Sequence, residues 1–213
     1  MKIQLALDRM EIGDAIQLTR LVENSIDWIE VGTSLIKEYG VSSIKEIKKA
    51  FPTKVIVADI KTIDNARYEF EMCFNAGADV ATVMGVSPYV TIDTCMEVAR
   101  RFDRRVMIDL LNTSEEQKKE LMNYSEAIFC DHVSKDEQEE SGSRNLGVDE
   151  GLLFADSTRQ IAIAGGITLE SLAALKQKLN PSVAIIGSAI TQAKDPADAA
   201  AKFKQVIFHV EGV

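Results

Sequence analysis

Several charged side chains in this sequence close short apolar runs. Asp8 follows Ile3–Leu7, Glu30 lies late in Trp28–Val31, and Asp59 and Lys61 follow the run VIVA; Asp109 comes after Val106–Ile108, and His132 just beyond Ala127–Cys130. Two further runs end in small residues, Gly165-Gly166 within AIAGGIT and Gly187-Ser188 within AIIGSAIT. Glu30 and Asp59 are hard oxygen donors of the kind Mg²⁺ accepts while keeping water or substrate oxygens in its shell. Carboxylates buried without a cation are costly, so Lys61 is the alternative counter-charge. An imidazole such as that of His132, whose ordinary pKa is about 6.5, can take up or return a proton near neutrality. Glycines after the last two runs let backbone N–H groups approach a phosphate beside a helix start. Neither a GxGxxG run nor a P-loop is present, which disfavours a nucleotide.

Each feature has a plainer reading. A carboxylate after a strand is often a helix cap, and Asp8 alone reads as cap or turn. A lone histidine is more often structural. The weight lies in one coincidence: most of the runs end the same way.

The runs behave as strands, at Ile3–Leu7, Trp28–Val31, Lys54–Ala58, Val80–Met84, Val106–Ile108, Ala127–Cys130, Gln160–Ala164 and Val183–Ile186. They start roughly 20 to 35 residues apart, the length of one βα unit. VIVADI, DVATVMG and VAIIG are nearly continuous in apolar residues, as parallel strands covered on both faces must be. Amphipathic helices are expected between them over Gly13–Val22, Ser43–Ala50, Ala66–Ala76, Thr91–Phe102, Ser114–Tyr124, Leu169–Leu179 and Pro196–Val210, with Asp14, Ser42, Thr168 and Asp195 as caps or first-turn acids. An open doubly wound sheet is the competing arrangement. Eight units with no reversal of order favour a single (β/α)8 barrel over residues 1–213, with its site at the strand C-terminal ends. The polar stretch Ser134–Asn145 reads as an exposed loop, either a lid or a solvated connection into a short helix.

Composition sets outer bounds. With 213 residues, 46% hydrophobic and 27% charged, the chain resembles an ordinary soluble protein. Its net charge of −9 argues against general nucleic-acid binding. Cys73, Cys95 and Cys130 are odd in number and lack metal-type spacing, so they read as reduced thiols, with Cys130 packing in its apolar run. The opening MKIQLALDRM is too short and polar for a secretion signal. No stretch approaches the roughly 20 apolar residues of a membrane helix. A cytoplasmic protein is expected.

The run VADIKTIDNA places Asp59, Lys61 and Asp64 in an Asp-x-Lys-x-x-Asp pattern. Together with LALD, IEVGT, NAGADVATVMG, IAIAGGIT and GSAITQAKDP, it resembles the orotidine-phosphate-decarboxylase superfamily across essentially the whole chain. Within that group it is most similar to the 3-hexulose-6-phosphate synthases, with the 3-keto-L-gulonate-6-phosphate decarboxylases as near relatives. The resemblance implies a barrel homodimer with shared active sites, in which Asp64 reaches into the partner's site. It implies that Glu30 and Asp59 bind Mg²⁺, that Lys61 is the site lysine, that Asp8 contacts substrate hydroxyls and that His132 moves the proton. Gly165, Gly166, Gly187 and Ser188 fall where the family holds phosphate. The implied reaction is aldol-type condensation of D-ribulose 5-phosphate with formaldehyde through an enediolate. Asp109, Ala164 and Gly187-Ser188 match the synthase pattern, where the decarboxylases carry Glu, Thr and Gly-Arg. Lys135, where the decarboxylases carry Arg, and Asn65-Ala66, in place of Ala-Gly, depart from the synthases. A decarboxylase is the alternative enzyme. A sugar-phosphate sensor on the same barrel is the non-enzymatic alternative, and it would be expected to lose one of these side chains.

Overall fold

Alternation inside each apolar run decides the architecture. Residues at every second position turn into a closed ring of strands, and the others turn outward against helices. The structure, a computed structural model, describes residues 1–134 and 158–209. Its strands are β1 (Lys2–Leu7), β2 (Trp28–Val31), β3 (Val55–Thr62), β4 (Val80–Met84), β5 (Arg105–Asp109), β6 (Ile128–His132), β7 (Gln160–Ala164) and β8 (Val183–Ile186). All neighbours pair in parallel in chain order, and β1 closes on β8 with Ile3 opposite Ala184 and Leu5 opposite Ile186. The result is a (β/α)8 barrel.

The helices are α1 (Ile12–Val22), α2 (Thr33–Tyr39), α3 (Val41–Ala50), α4 (Ala66–Asn75), α5 (Tyr89–Phe102), α6 (Glu115–Leu121), α7 (Leu169–Leu179), α8 (Ser188–Thr191) and α9 (Pro196–His209). Ser114 and Thr168 cap α6 and α7, each inside a reciprocal box with the residue three positions on. Asp195 Oδ1 accepts from Asp198 N at 3.0 Å at the start of α9. Ser42 is not a cap: it lies within α3, and Gly40 separates α2 from α3. Two short helices, α2 and α8, were not expected, since runs of 7 and 4 residues carry too little periodicity to read.

Two apolar cores follow. The larger lies between ring and helices and includes Leu5, Leu7, Ile29, Val31, Ile56, Phe70, Phe129 and Phe203. The smaller fills the ring itself with Trp28, Val57, Val80, Met107, Ile128, Cys130, Ala162, Ala164, Val183 and Ile185. Cys130 is therefore a packing residue, and its burial holds the thiol well above the usual range. Lys135 and the rest of the expected loop through Asn145 lie outside the described residues.

Candidate active site

The inner core explains where the polar side chains go. Along β2, β3, β5 and β6 the next inward position above the apolar plug is polar: Glu30 above Trp28, Asp59 above Val57, Asp109 above Met107, and His132 above Cys130. Asp8, Glu30, Asp59, Lys61, Asp109, His132, Gly165, Gly166, Gly187 and Ser188 all line one cavity of about 1470 Å³ at the C-terminal ends of the strands. Asp64 is the exception. It is exposed outside that cavity, and its Oδ1 accepts from Asn65 N at 2.7 Å. Asn65 takes the left-handed conformation (φ 55) ahead of α4, which asparagine accepts more readily than most residues.

A chain of charges crosses the cavity floor. Lys61 Nζ lies 3.1 Å from Asp59 Oδ1 and 2.7 Å from Asp109 Oδ2. The same Asp109 oxygen is 2.9 Å from His132 Nδ1, while Asp109 Oδ1 accepts from Leu111 N at 2.9 Å. Burial works against the Lys61 ammonium, but the charges of Asp59 and Asp109 outweigh it and raise its pKa above the ordinary lysine value. Burial also works against the Asp109 carboxylate; the hydrogen bond and charge of His132, with Lys61, overcome it and hold Asp109 below the usual carboxylate range. Lys61 is thus a fixed cation and Asp109 a fixed anion at neutral pH.

Glu30 differs. It is buried, its Oε2 accepts from Gln4 Nε2, and among the described residues no cation lies within ion-pair reach. Burial, then the neighbouring Asp59 charge, push its pKa up to about 8. Among the described residues no three His, Cys, Asp or Glu side chains converge as a preformed metal cage. Two hard carboxylates, one still lacking positive charge, nevertheless fit a Mg²⁺ that takes its remaining oxygens from water or substrate.

Small hydroxyl and amide side chains, which sequence reasoning passed over, hold these groups in place. Thr33 Oγ1 donates to Asp59 Oδ2 at 2.7 Å, and Thr82 Oγ1 donates to Asp59 Oδ1 at 3.0 Å. Ser34 donates to Asp8 Oδ1 through both its N–H (3.0 Å) and its Oγ (2.7 Å). Asp8 therefore does cap a helix, but it is α2 and not the helix that follows it. Its carboxylate fills the space a Cβ on Gly32 would take. The signal that could have found Gln4 and Thr82 is parity, since each shares the inward face of its strand with Ala6 and Val80.

Gly165 (φ 95) and Gly166 (φ 60) turn the chain from β7 through conformations that side chains with a Cβ rarely adopt. Gly187 and Ser188 face them from β8 into α8.

Comparison with known proteins finds relatives that share the whole barrel. The pattern of the orotidine 5′-phosphate decarboxylase / HUMPS family matches residues 1–203. The 3-hexulose-6-phosphate synthase of Bacillus subtilis (strain 168) is 36% identical over 209 residues, covering 97% of this chain and 99% of that protein. The 1.65 Å crystal structure of 3-hexulose-6-phosphate synthase from Salmonella typhimurium superposes with a TM-score of 0.92 at 34% identity, covering 98% and 99% of the two chains. A crystal structure of 3-keto-L-gulonate-6-phosphate decarboxylase from Vibrio cholerae O1 biovar El Tor str. N16961 gives 0.85 at 25% identity, covering 98% and 97%.

Proposed function

The chain belongs to the orotidine 5′-phosphate decarboxylase / HUMPS family, and on that premise we propose that it is an aldehyde-lyase condensing D-ribulose 5-phosphate with formaldehyde to 3-hexulose 6-phosphate. The single observation that carries the reading is the position of Asp109 Oδ2, 2.7 Å from Lys61 Nζ and 2.9 Å from His132 Nδ1. An ionised Asp109 can only accept, so the histidine hydrogen belongs on Nδ1, which leaves Nε2 as the base.

His132 Nε2 takes a proton from carbon 1 of the pentulose phosphate, and the C–H electron pair passes into an enediolate. Lys61 donates hydrogen bonds where the oxyanion forms, a charge fixed before the reaction begins. Carbon 1 attacks the formaldehyde carbon; as the new C–C bond forms, the carbon 2 carbonyl is restored, the formaldehyde π pair moves to its oxygen, and that oxygen takes the proton held by His132. Mg²⁺ held by Glu30 and Asp59 would supply Lewis acidity to adjacent substrate oxygens. Asp8, turned by Ser34, binds substrate hydroxyls. Gly165, Gly166, Gly187 and Ser188 anchor the phosphate and so orient carbon 1.

We read the assembly as a homodimer in which Asp64 completes the partner's site. Ile63 (56% exposed) beside Asp64, Tyr68 (64%) in α4, and Tyr89 (45%) and Val90 (71%) at the start of α5 are large apolar side chains left exposed, which supports this reading. The three cysteines are unpaired and buried, in keeping with a reducing cytoplasm. Among the described residues no helix is long and apolar enough to cross a membrane.

The experiment is formaldehyde consumption with ribulose 5-phosphate, with and without EDTA. Turnover that EDTA abolishes and Mg²⁺ restores is expected. Activity unaffected by EDTA overturns the metal assignment. CO₂ release from 3-keto-L-gulonate 6-phosphate, without aldol product, replaces the synthase with the decarboxylase.

A further inference from the structure

Strands β3 and β4 keep register up to Ala58 opposite Ala81 and resume it at Thr62 opposite Val83. Three residues of β3, Asp59, Ile60 and Lys61, therefore face a single residue of β4, Thr82. Such a bulge leaves backbone groups without ladder partners and re-aims the side chains beside it. Here Ile60 packs into the outer core, while Asp59 and Lys61 both point into the cavity. Lys61 pays for this with a left-handed backbone (φ 51), a conformation that persists in a long side chain only when its surroundings hold it.

The hydroxyl of Thr82 is what holds it. Thr82 is buried, and its Oγ1 accepts from Lys61 N at 2.8 Å and donates to Asp59 Oδ1 at 3.0 Å. One oxygen thus ties the backbone of the lysine to the side chain of the aspartate. A valine would fill the same volume among the apolar residues of the ring, so packing alone does not call for a hydroxyl at this place. We propose that Thr82 is a positioning residue that sets the bulge, and with it the separation of the Lys61 ammonium from the Asp59 carboxylate. The inference rests on the roles given above to Asp59 and Lys61. It adds that their geometry is imposed by the neighbouring strand.

The test compares Thr82→Val with Thr82→Ser in the full-length protein. Thr82→Val keeps the volume and removes both hydrogen bonds. A fall in kcat of about 10- to 100-fold is expected, the usual effect of removing a group that orients a site residue. The KM for ribulose 5-phosphate stays within about threefold, because the phosphate is gripped by β7 and β8. Thr82→Ser restores kcat, and its crystal structure keeps Lys61 near φ 51. Wild-type kcat in Thr82→Val overturns the proposal. So does a Thr82→Ser protein whose kcat lies about tenfold or more below wild type, a reading that remains available if the valine variant does not fold. If the wild-type protein has no activity on ribulose 5-phosphate and formaldehyde, the functional reading falls. A crystal structure of Thr82→Val then decides the positioning claim: it stands if Lys61 leaves the left-handed region and falls if the bulge is unchanged.

Discussion

Asp109 and His132 are neighbours across β5 and β6, and the carboxylate reaches the imidazole Nδ1 at 2.9 Å without losing its contact to Lys61. Asparagine at this position keeps the shape but can present its NH₂ group to the imidazole, which favours the wrong tautomer. Asp109→Asn is expected to lower kcat by about 100- to 10,000-fold, with ribulose 5-phosphate still bound. Alanine is the poorer probe, since breaking a buried charge pair costs about 3–5 kcal/mol and confounds stability with chemistry. Exchange of the carbon 1 proton in deuterated water, followed by NMR, checks the outcome. Exchange at the wild-type rate would remove Asp109 from the proton path.

Glu30 gives the pH dependence its sign. With its pKa raised to about 8 in the folded protein from an ordinary 4.5, the cation-free fold binds more protons than the unfolded chain between those values. The stability Glu30 contributes is therefore fully present below 4.5 and is lost as pH rises through 8. A divalent cation bound as proposed would have to displace the same proton. Its affinity should climb about tenfold per pH unit below 8 and level off above. Mn²⁺ titrations followed by electron paramagnetic resonance from pH 6 to 9 measure this directly. A flat profile, or one unchanged by Glu30→Gln, would place the ion elsewhere. Asp109, whose pKa is lowered, acts in the opposite sense and only on the acid side, below the ordinary 3.8.

Subunit mixing tests the dimer. Lys61→Ala and Asp64→Ala proteins should each be inactive alone. Denatured together and refolded, they should regain about a quarter of wild-type turnover, since half the dimers are mixed and each of these carries one intact site. No recovery would confine each site to its own subunit.

Gly32→Ala isolates Asp8. The backbone at Gly32 is in ordinary extended territory (φ −67), so alanine introduces no strain there, yet its methyl group would occupy the place of the Asp8 carboxylate. A 10- to 100-fold loss in kcat/KM, roughly the effect of an ångström of misplacement, is expected with the melting temperature little changed. Unaltered kinetics would leave Asp8 with a capping role alone.

The strands and the polar residues closing them were legible in the sequence because both follow from alternation, which a linear chain displays openly. The pattern around Asp59, Lys61 and Asp64 was legible in another way, as a resemblance to a known family. What stayed hidden is relational. β3 was expected to end at Ala58, and nothing in KTID announces a bulge that carries the strand to Thr62. Thr33, Ser34, Thr82 and Gln4 are chemically modest, and their importance comes from residues 21 to 26 positions away. That Asp109 lies between Lys61 and His132 is likewise a fact of the closed ring and not of any segment.

The seam between β1 and β8 has a temporal meaning. Asp8 comes from the first strand and Gly187 from the last, and the two stand together only once Lys2 pairs with Val183. On the proposed roles, a ribosome releasing this chain from its N-terminus delivers Asp8, Asp59, Lys61, Asp109 and His132 before the residues assigned to the phosphate. Competence should therefore arrive all at once, with the closing of the final gap, so the onset of turnover during refolding would serve as a clock for the closing of that seam.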